Sequence, residues 1–260
     1  MPPRRTPRHD RDAGGDPGLL AAKAALRAEV WRRLADGGVA RFPGAEGRIP
    51  NFAGAGTAAD RLRATETWAR ARTVKANPDS PQWPVRQRAL EDGKVLFMAV
   101  PRLADEHPFT LLDPAALGHR SPRAASSIKG AAAAGRRVDV VDLTPVDLVV
   151  TGCVAVGEDG ARLGKGGGFS DLELAVACLA GLVGRSTRVV TTVHELQVRP
   201  AGVVPVAAHD IRVDLIATPE RLIEVPRQTR SRGPAAVLDW SLLTEEKIAA
   251  IPLLRRLRRL

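Results

Sequence analysis

Between residues 94 and 217 the chain carries five short apolar runs: 94–100 (KVLFMAV), 146–151 (VDLVVT), 153–156 (CVAV), 188–193 (RVVTTV) and 213–217 (VDLIA). They are near-continuous and rich in β-branched residues, where a strand with one wet face would alternate apolar and polar. A strand of this kind must be buried on both faces, and that arrangement belongs to mostly parallel sheets covered by helices on each side. A helical stretch at residues 171–183 lies between the third and fourth runs. The pattern therefore predicts an α/β fold around a mostly parallel central sheet.

The rest of the chain fits around that sheet. Residues 19–34 read as a helix, with Leu19, Ala22, Leu26, Val30 and Leu34 forming an apolar stripe. Residues 37–56 read as loop and 60–73 as helix. Three prolines within residues 77–84 end that element. A short helix at 85–91 then turns at Asp92-Gly93 into the strand at 94–100. Thr218-Pro219-Glu220 reads as a short helical turn, and residues 244–260 as a last helix interrupted at Pro252. The expected domains are a disordered basic tail at 1–18, an α/β domain at 19–225, a polar linker at 226–236 and a C-terminal helical tail at 237–260.

Composition narrows the function classes. The chain has 260 residues and is 44% hydrophobic, enough for one sizeable core. No apolar run reaches the ~18 residues of a membrane span, and the first residues hold no apolar signal region. Cys153 and Cys178 sit in apolar settings without metal-ligand spacing, which predicts free thiols in a reducing cytoplasm. The net charge of +10 is gathered partly in residues 1–16 and 254–260, where solvated surface is expected. It favours anionic partners without choosing among them.

The sharpest functional signal is the stretch 160–179, GARLGKGGGFSDLELAVACL. Four glycines within five residues precede a helix whose first N–H groups have no partner within it and whose dipole is positive. Backbone without Cβ atoms lets an anion approach closely, and Arg162 and Lys165 add charge. The stretch is no Walker A loop, because Asp159 stands where its first glycine belongs and Gly166 follows Lys165. It is no dinucleotide fingerprint either, since Phe169 replaces the third glycine. Ser170 and Glu173 have the spacing of a helix capping box, and Asp171 falls in the first turn, where the dipole favours it.

Residues 162–171, RLGKGGGFSD, resemble the signature loop of the 5-formyltetrahydrofolate cyclo-ligase family, in which it reads RLGxGGGYYDR. Lys23 to Arg27 resembles that family's KxxLR helix. Gly93-Lys94-Val95, before a strand ending at Pro101, resembles its GKxV…P. His209-Asp210, Asp214 and Thr218 resemble its HD…D..T. The matches run in the family's order over residues 19–225. Phe169-Ser170 stands for the tyrosine pair and Leu172 for the arginine. The family's acidic folate segment has only Asn77-Pro78-Asp79 near its place. In these departures, and around Trp240-Ser241 and Ile251-Pro252-Leu253, the chain is similar to a paralogous branch, the methenyltetrahydrofolate synthetase domain-containing proteins.

The resemblance implies a three-layer α/β sandwich and a cytoplasmic ligase of one-carbon metabolism. Such an enzyme uses ATP and Mg²⁺ to close 5-formyltetrahydrofolate into 5,10-methenyltetrahydrofolate. It implies that Lys23, Arg27 and Arg162 contact ATP phosphates and that Gly164, Gly166, Gly167 and Gly168 cradle them. Phe169 would flank a ring, Arg162 and Lys165 would stabilise developing charge, and Asp171 would hold Mg²⁺. Two alternatives stay open. One is a nucleotide-binding paralogue without cyclo-ligase activity, with a thiamine-related role. The other is an RNA-associated basic protein, for which +10 speaks but no nucleic-acid motif does. His194-Glu195 follows a strand end, and a hydrogen-bonded structural histidine is the preferred reading there.

Overall fold

The structure is a computed structural model, and it describes residues 16–100, 103–207, 210–226, 238, 240 and 243–259. The expectations for residues 1–15, for His209, for Pro101 and for nearly all of the 226–236 linker lie outside the described residues.

An eight-stranded sheet forms the centre. Its strands are β1 (Thr73–Ala76), β2 (Val95–Ala99), β3 (Phe109–Leu112), β4 (Arg136–Val138), β5 (Leu148–Val150), β8 (Arg188–Thr192), β10 (Leu215–Ala217) and β11 (Leu222–Glu224). The spatial order is β11-β10-β8-β5-β1-β2-β3-β4. The five strands from β10 to β2 run parallel, and the pairs at both edges are antiparallel. A second, three-stranded sheet joins β6 (Ala155–Gly157), β7 (Arg162–Leu163) and β9 (Val198–Arg199).

The helices cover both faces of the large sheet, as the continuous apolar runs require. On one face Phe97, Val149, Val189 and Ile216 pack with α7 (Phe169–Leu179), α8 (Glu245–Ala250) and α9 (Pro252–Leu257). On the other face Val74, Leu96, Leu148, Val190 and Leu215 meet α2 (Ala55–Arg63), α3 (Glu66–Arg70), α4 (Trp83–Glu91), α5 (Pro122–Ala125) and α6 (Ile128–Ala134). Consecutive strand residues alternate between the two layers, so the molecule is a three-layer α/β sandwich. The first helix, α1 (Pro17–Asp36), stands apart from these layers and packs on the small sheet through Leu26, Val30 and Leu34.

Several local expectations are corrected. The helix expected at 60–73 is two short helices, α2 and α3, and Thr73 already belongs to β1. The loop expected at 37–56 ends two residues earlier, because α2 begins at Ala55. The run 153–156 feeds the small sheet rather than the large one. β3, β4, α5 and α6 occupy a stretch to which the sequence pattern assigned no element. Thr218-Pro219-Glu220 is not a helical turn. The Thr218 hydroxyl accepts from the Glu220 and Arg221 amides and closes a tight connection into β11. The helix expected from residue 19 starts at Pro17, where Asp16 caps it by accepting from the Gly18 amide.

The C-terminal segment is docked through its apolar residues, while its arginines lie on the surface as expected. Ile248, Ile251, Leu253 and Leu254 are buried in the α7 layer. The arginines of α9 and beyond pair with carboxylates, Arg255 with Glu106, Arg256 with Asp139 and Arg258 with Glu245. Leu254 is buried and Leu257 packs partly buried against the same layer, while Arg255, Arg256 and Arg258 stay exposed.

Candidate active site

The parallel strands change direction at β1. The chain passes from β1 to β2 on one side, then returns to place β5 on the other. In open α/β sheets ligands bind at the carboxyl ends of strands at such a switch point. Here β1 leads directly into Asn77, Pro78, Asp79 and Ser80, which line a cavity of about 250 Å³. The opposite wall is Arg162, at the start of β7, with the glycine loop and Phe169, Ser170, Asp171 and Glu173 of α7. The first segment and the loop lie more than eighty residues apart in the chain, as the 86-residue separation of Asp79 and Lys165 shows.

The loop has the open backbone its composition promised. Gly166 (φ +106°) and Gly168 (φ +64°) take left-handed conformations that a side chain would strain. A Cβ on Gly166 would stand 3.5 Å from the Arg27 guanidinium carbon, and one on Gly167 would press within 3.0 Å of the Phe169 ring. Gly168 is the N-cap of α7, so the first-turn amides of that helix are donors without helical partners.

Arg162 is only 4% exposed and lines the cavity. One guanidinium nitrogen bonds Asp171, whose carboxylate also accepts from the Ile211 amide at 3.4 Å. Its Nε is buried without a partner among the described residues. A buried guanidinium with an unused donor, beside a glycine loop at a helix N-terminus, fits an anion such as a phosphate. Lys165 is half exposed and reaches across the mouth to Asp79 Oδ1 at 3.2 Å. An anion entering there would compete with that carboxylate for the ammonium.

The structure brings α1 to the loop. Arg27 Nε donates to the Gly164 carbonyl at 2.8 Å. Lys23, expected alongside it at the phosphates, instead meets Asp210 at 2.5 Å and is buried. Asp171, at the expected metal position, lines the cavity together with Asp79 and Glu173. Among the described residues no three His, Cys, Asp or Glu side chains converge as ligands. One carboxylate suits Mg²⁺ when phosphate oxygens complete the shell.

The capping-box reading of Ser170 and Glu173 is overturned. α7 begins at Phe169, so Ser170 lies inside the first turn, where its hydroxyl accepts from Asn77 Nδ2 at 2.7 Å. Glu173 turns away from the helix end to Lys75 of β1, at 2.5 Å, with both side chains buried. A carboxylate next to a buried ammonium gains far more than it would from one backbone amide. Lys75 also donates to Asn77 Oδ1 at 3.3 Å, so Lys75, Glu173, Asn77 and Ser170 form one network under the cavity. The sequence pattern missed Lys75 because the short stretch between the expected helix at 60–73 and the prolines of 77–84 was assigned no element.

Arg86 of α4, 1% exposed, secures the β1 side. It donates to the carbonyls of Asn77 (2.6 Å), Asp79 (3.0 Å) and Ser126 (2.9 Å). Burial lowers its pKa to about 10, against the raising effect of Asp79. It stays protonated at neutral pH and fixes the segment that faces the loop.

Other singled-out residues are structural. His194 Nδ1 accepts from the Leu196 amide at 3.2 Å and caps a single 3-10 turn, and burial lowers its pKa. Asp214 accepts from the Val189 amide at 2.7 Å. Lys94 donates to the carbonyls of Trp68 and Ala71, at the end of α3. Cys153 is buried, its thiol pushed up to about 11 by desolvation. No described helix is long and apolar enough to cross a membrane.

A family model described as the 5-formyltetrahydrofolate cyclo-ligase family matches residues 18–219. The chain belongs to that family. Among curated relatives, the methenyltetrahydrofolate synthase domain-containing protein of Bos taurus is 35% identical over 244 residues, 94% of this chain and 63% of that protein. The Homo sapiens protein of the same name is 34% identical over 239 residues, 91% of this chain and 61% of that protein. The chain thus spans about three-fifths of the length of these relatives. Among solved structures, an NMR structure of Aquifex aeolicus 5,10-methenyltetrahydrofolate synthetase superposes with a TM-score of 0.51 at 20% identity, covering 80% of this chain and 95% of that one. That likeness is one of fold. The cyclo-ligase match ends before α8 and α9, although both helices are built into the core.

Proposed function

We propose that the cavity between β1 and the glycine loop binds Mg²⁺·ATP, and that the chain is a cyclo-ligase-type enzyme converting 5-formyltetrahydrofolate to 5,10-methenyltetrahydrofolate. The observation that carries this reading is Arg162. It is a buried guanidinium that lines the glycine-walled cavity at the sheet's switch point, and its Nε has no partner among the described residues. Family membership and the names of the relatives support the substrate class.

When bound, ATP supplies the phosphoryl group that activates the formyl oxygen for ring closure. The chain's residues bind and position. Arg162 and Lys165 face the phosphate charge, and the amides leading into α7 offer donors where a side chain would obstruct. Arg27 holds the loop through Gly164, and Lys23, through Asp210, fastens α1 beside it. Asp171, whose carboxylate also bonds Arg162, is the residue that would hold Mg²⁺, which would neutralise phosphate charge there. Phe169, at the cavity wall, offers a ring face to an aromatic ligand.

A specific observation favours a second reading, a nucleotide-binding paralogue acting on another compound. Two of the three positions at which the chain departs from the family signature, Ser170 and Leu172, are used for structure here. Ser170 accepts from Asn77, and Leu172 is buried in the core. The discriminating experiment follows methenyl-folate absorbance with 5-formyltetrahydrofolate and Mg²⁺·ATP, alongside calorimetry of nucleotide binding. ATP-dependent absorbance that is lost in Arg162→Ala supports the first reading. ATP binding without turnover selects the second. A protein with no ATP affinity at millimolar Mg²⁺ sinks both.

A further inference from the structure

Lys247 of α8 donates from Nζ to the carbonyl of Gly167 at 2.9 Å, and the same ammonium lies 5.1 Å from the centre of the Phe169 ring. Lys247 lies beyond the residues matched by the cyclo-ligase family, which end at 219. It does not line the cavity, whereas Gly167, Gly168 and Phe169 do. From these observations we propose that Lys247 is a positioning residue of the glycine loop. It locks the Gly167–Gly168 peptide with its N–H turned towards the cavity.

The reasoning rests on peptide geometry. Among the described residues only the Phe42-Pro43 bond is cis, so the Gly167–Gly168 peptide is trans. In a trans peptide the carbonyl and the following N–H point in opposite directions. Lys247 draws the Gly167 carbonyl to the outer side of the loop, and the Gly168 N–H then points to the inner side, where both glycines border the cavity. A peptide between two glycines meets little steric resistance to turning over, and the carbonyl could face the cavity equally well. A carbonyl oxygen there would repel an anion. The ammonium also polarises the peptide it bonds, which strengthens the N–H on the other side.

The lysine is itself held. Its backbone amide donates to the Thr244 hydroxyl at 3.1 Å, and the adjacent Ile248 is buried with Ile251 against the α7 layer. The Phe169 ring face adds a second attraction for the ammonium. A segment outside the family match thus decides which end of a peptide dipole the loop presents.

The proposal rests on the anion-binding reading of the loop, and its test separates the two. Full-length protein, Lys247→Met and Lys247→Arg are compared by calorimetry with Mg²⁺·ATP and by the ¹⁵N–¹H resonance of Gly168 without ligand. Lys247→Met keeps the methylene stem and Lys247→Arg keeps the donor and charge. The expected result is a loss of affinity of about tenfold in Lys247→Met, recovery in Lys247→Arg and little change in melting temperature. Wild-type affinity in Lys247→Met overturns the proposal. If the wild type binds no ATP, the function reading fails and the resonance decides. A Gly168 signal displaced in Lys247→Met and restored in Lys247→Arg upholds the lock, and one unmoved by either substitution refutes it. Should Lys247→Met fold poorly, Lys247→Gln is read by the same criteria.

Discussion

Lys75 and Glu173, 98 residues apart in the chain, meet at 2.5 Å with both side chains buried between β1 and α7. The pair joins the two walls of the cavity, and Asn77, which accepts from Lys75 and donates to Ser170 of α7, makes a second link between them. Removing one charge from a buried pair strands the other, at a cost of ~3–5 kcal/mol, whereas a well-packed apolar replacement of both is often neutral. Glu173→Leu and Lys75→Met are therefore each expected to destabilise on that scale, and Lys75→Met/Glu173→Leu to recover most of the loss. Denaturant midpoints of the four proteins measure this. Additive losses in the double variant would falsify the coupling.

Arg27 and Lys23 share a helix but are expected to behave differently. Arg27 touches the loop itself, through Gly164. Arg27→Met is expected to weaken Mg²⁺·ATP binding by ~1.5–3 kcal/mol, roughly 10–150-fold, at little cost in stability. Lys23 neutralises Asp210, so Lys23→Met is expected first to lower stability, by ~1–3 kcal/mol. Calorimetry and denaturation on the same samples separate the two. Unchanged nucleotide affinity in Arg27→Met removes α1 from the site.

Leu254 is fully buried near the end of the chain, in the layer that holds α7. Leu254→Ala is expected to cost ~2–5 kcal/mol, the range for a core leucine. A melting temperature within a degree of wild type would mean that α9 contributes no packing.

The link between Arg256 and Asp139 ties α9 to the end of β4 and should respond to acid. Burial pushes the Asp139 carboxyl up, but hydrogen bonds from Arg256 and the Val140 amide, with the charge of Arg256, outweigh it and hold its pKa below the ordinary value. A carboxylate of lowered folded pKa stabilises fully above its unfolded pKa of about 3.9, and that contribution is lost as pH falls through the folded value. Hydrogen exchange in α9 should therefore accelerate below about pH 4, and Asp139→Asn should flatten that response while loosening α9 at neutral pH. An acid response identical in the two proteins would assign it to other carboxylates.

The sequence by itself determined the kind of sheet, mostly parallel and covered on both faces, the glycine loop and the family. Continuous runs such as 188–193 permit only a doubly covered strand, because an exposed face of valines would have no solvent partner. The loop was equally legible, because left-handed backbone at Gly166 and Gly168 needs glycine whatever surrounds it. Both are local constraints, expressed in neighbouring residues. Tertiary structure decided what the charged residues do. Glu173 has the spacing of a cap, yet folding carries a buried lysine from β1 within reach, and the stronger partner wins. β1 itself was hidden, because TVKA is short and its lysine reads as polar surface until Glu173 compensates it. The C-terminal arginines are exposed, as the sequence suggests, but the carboxylates they meet there, Glu106, Asp139 and Glu245, come from distant segments or the preceding helix. An ion pair depends on which segments the fold brings within about 4 Å, and nothing in the local pattern of one partner encodes the position of the other.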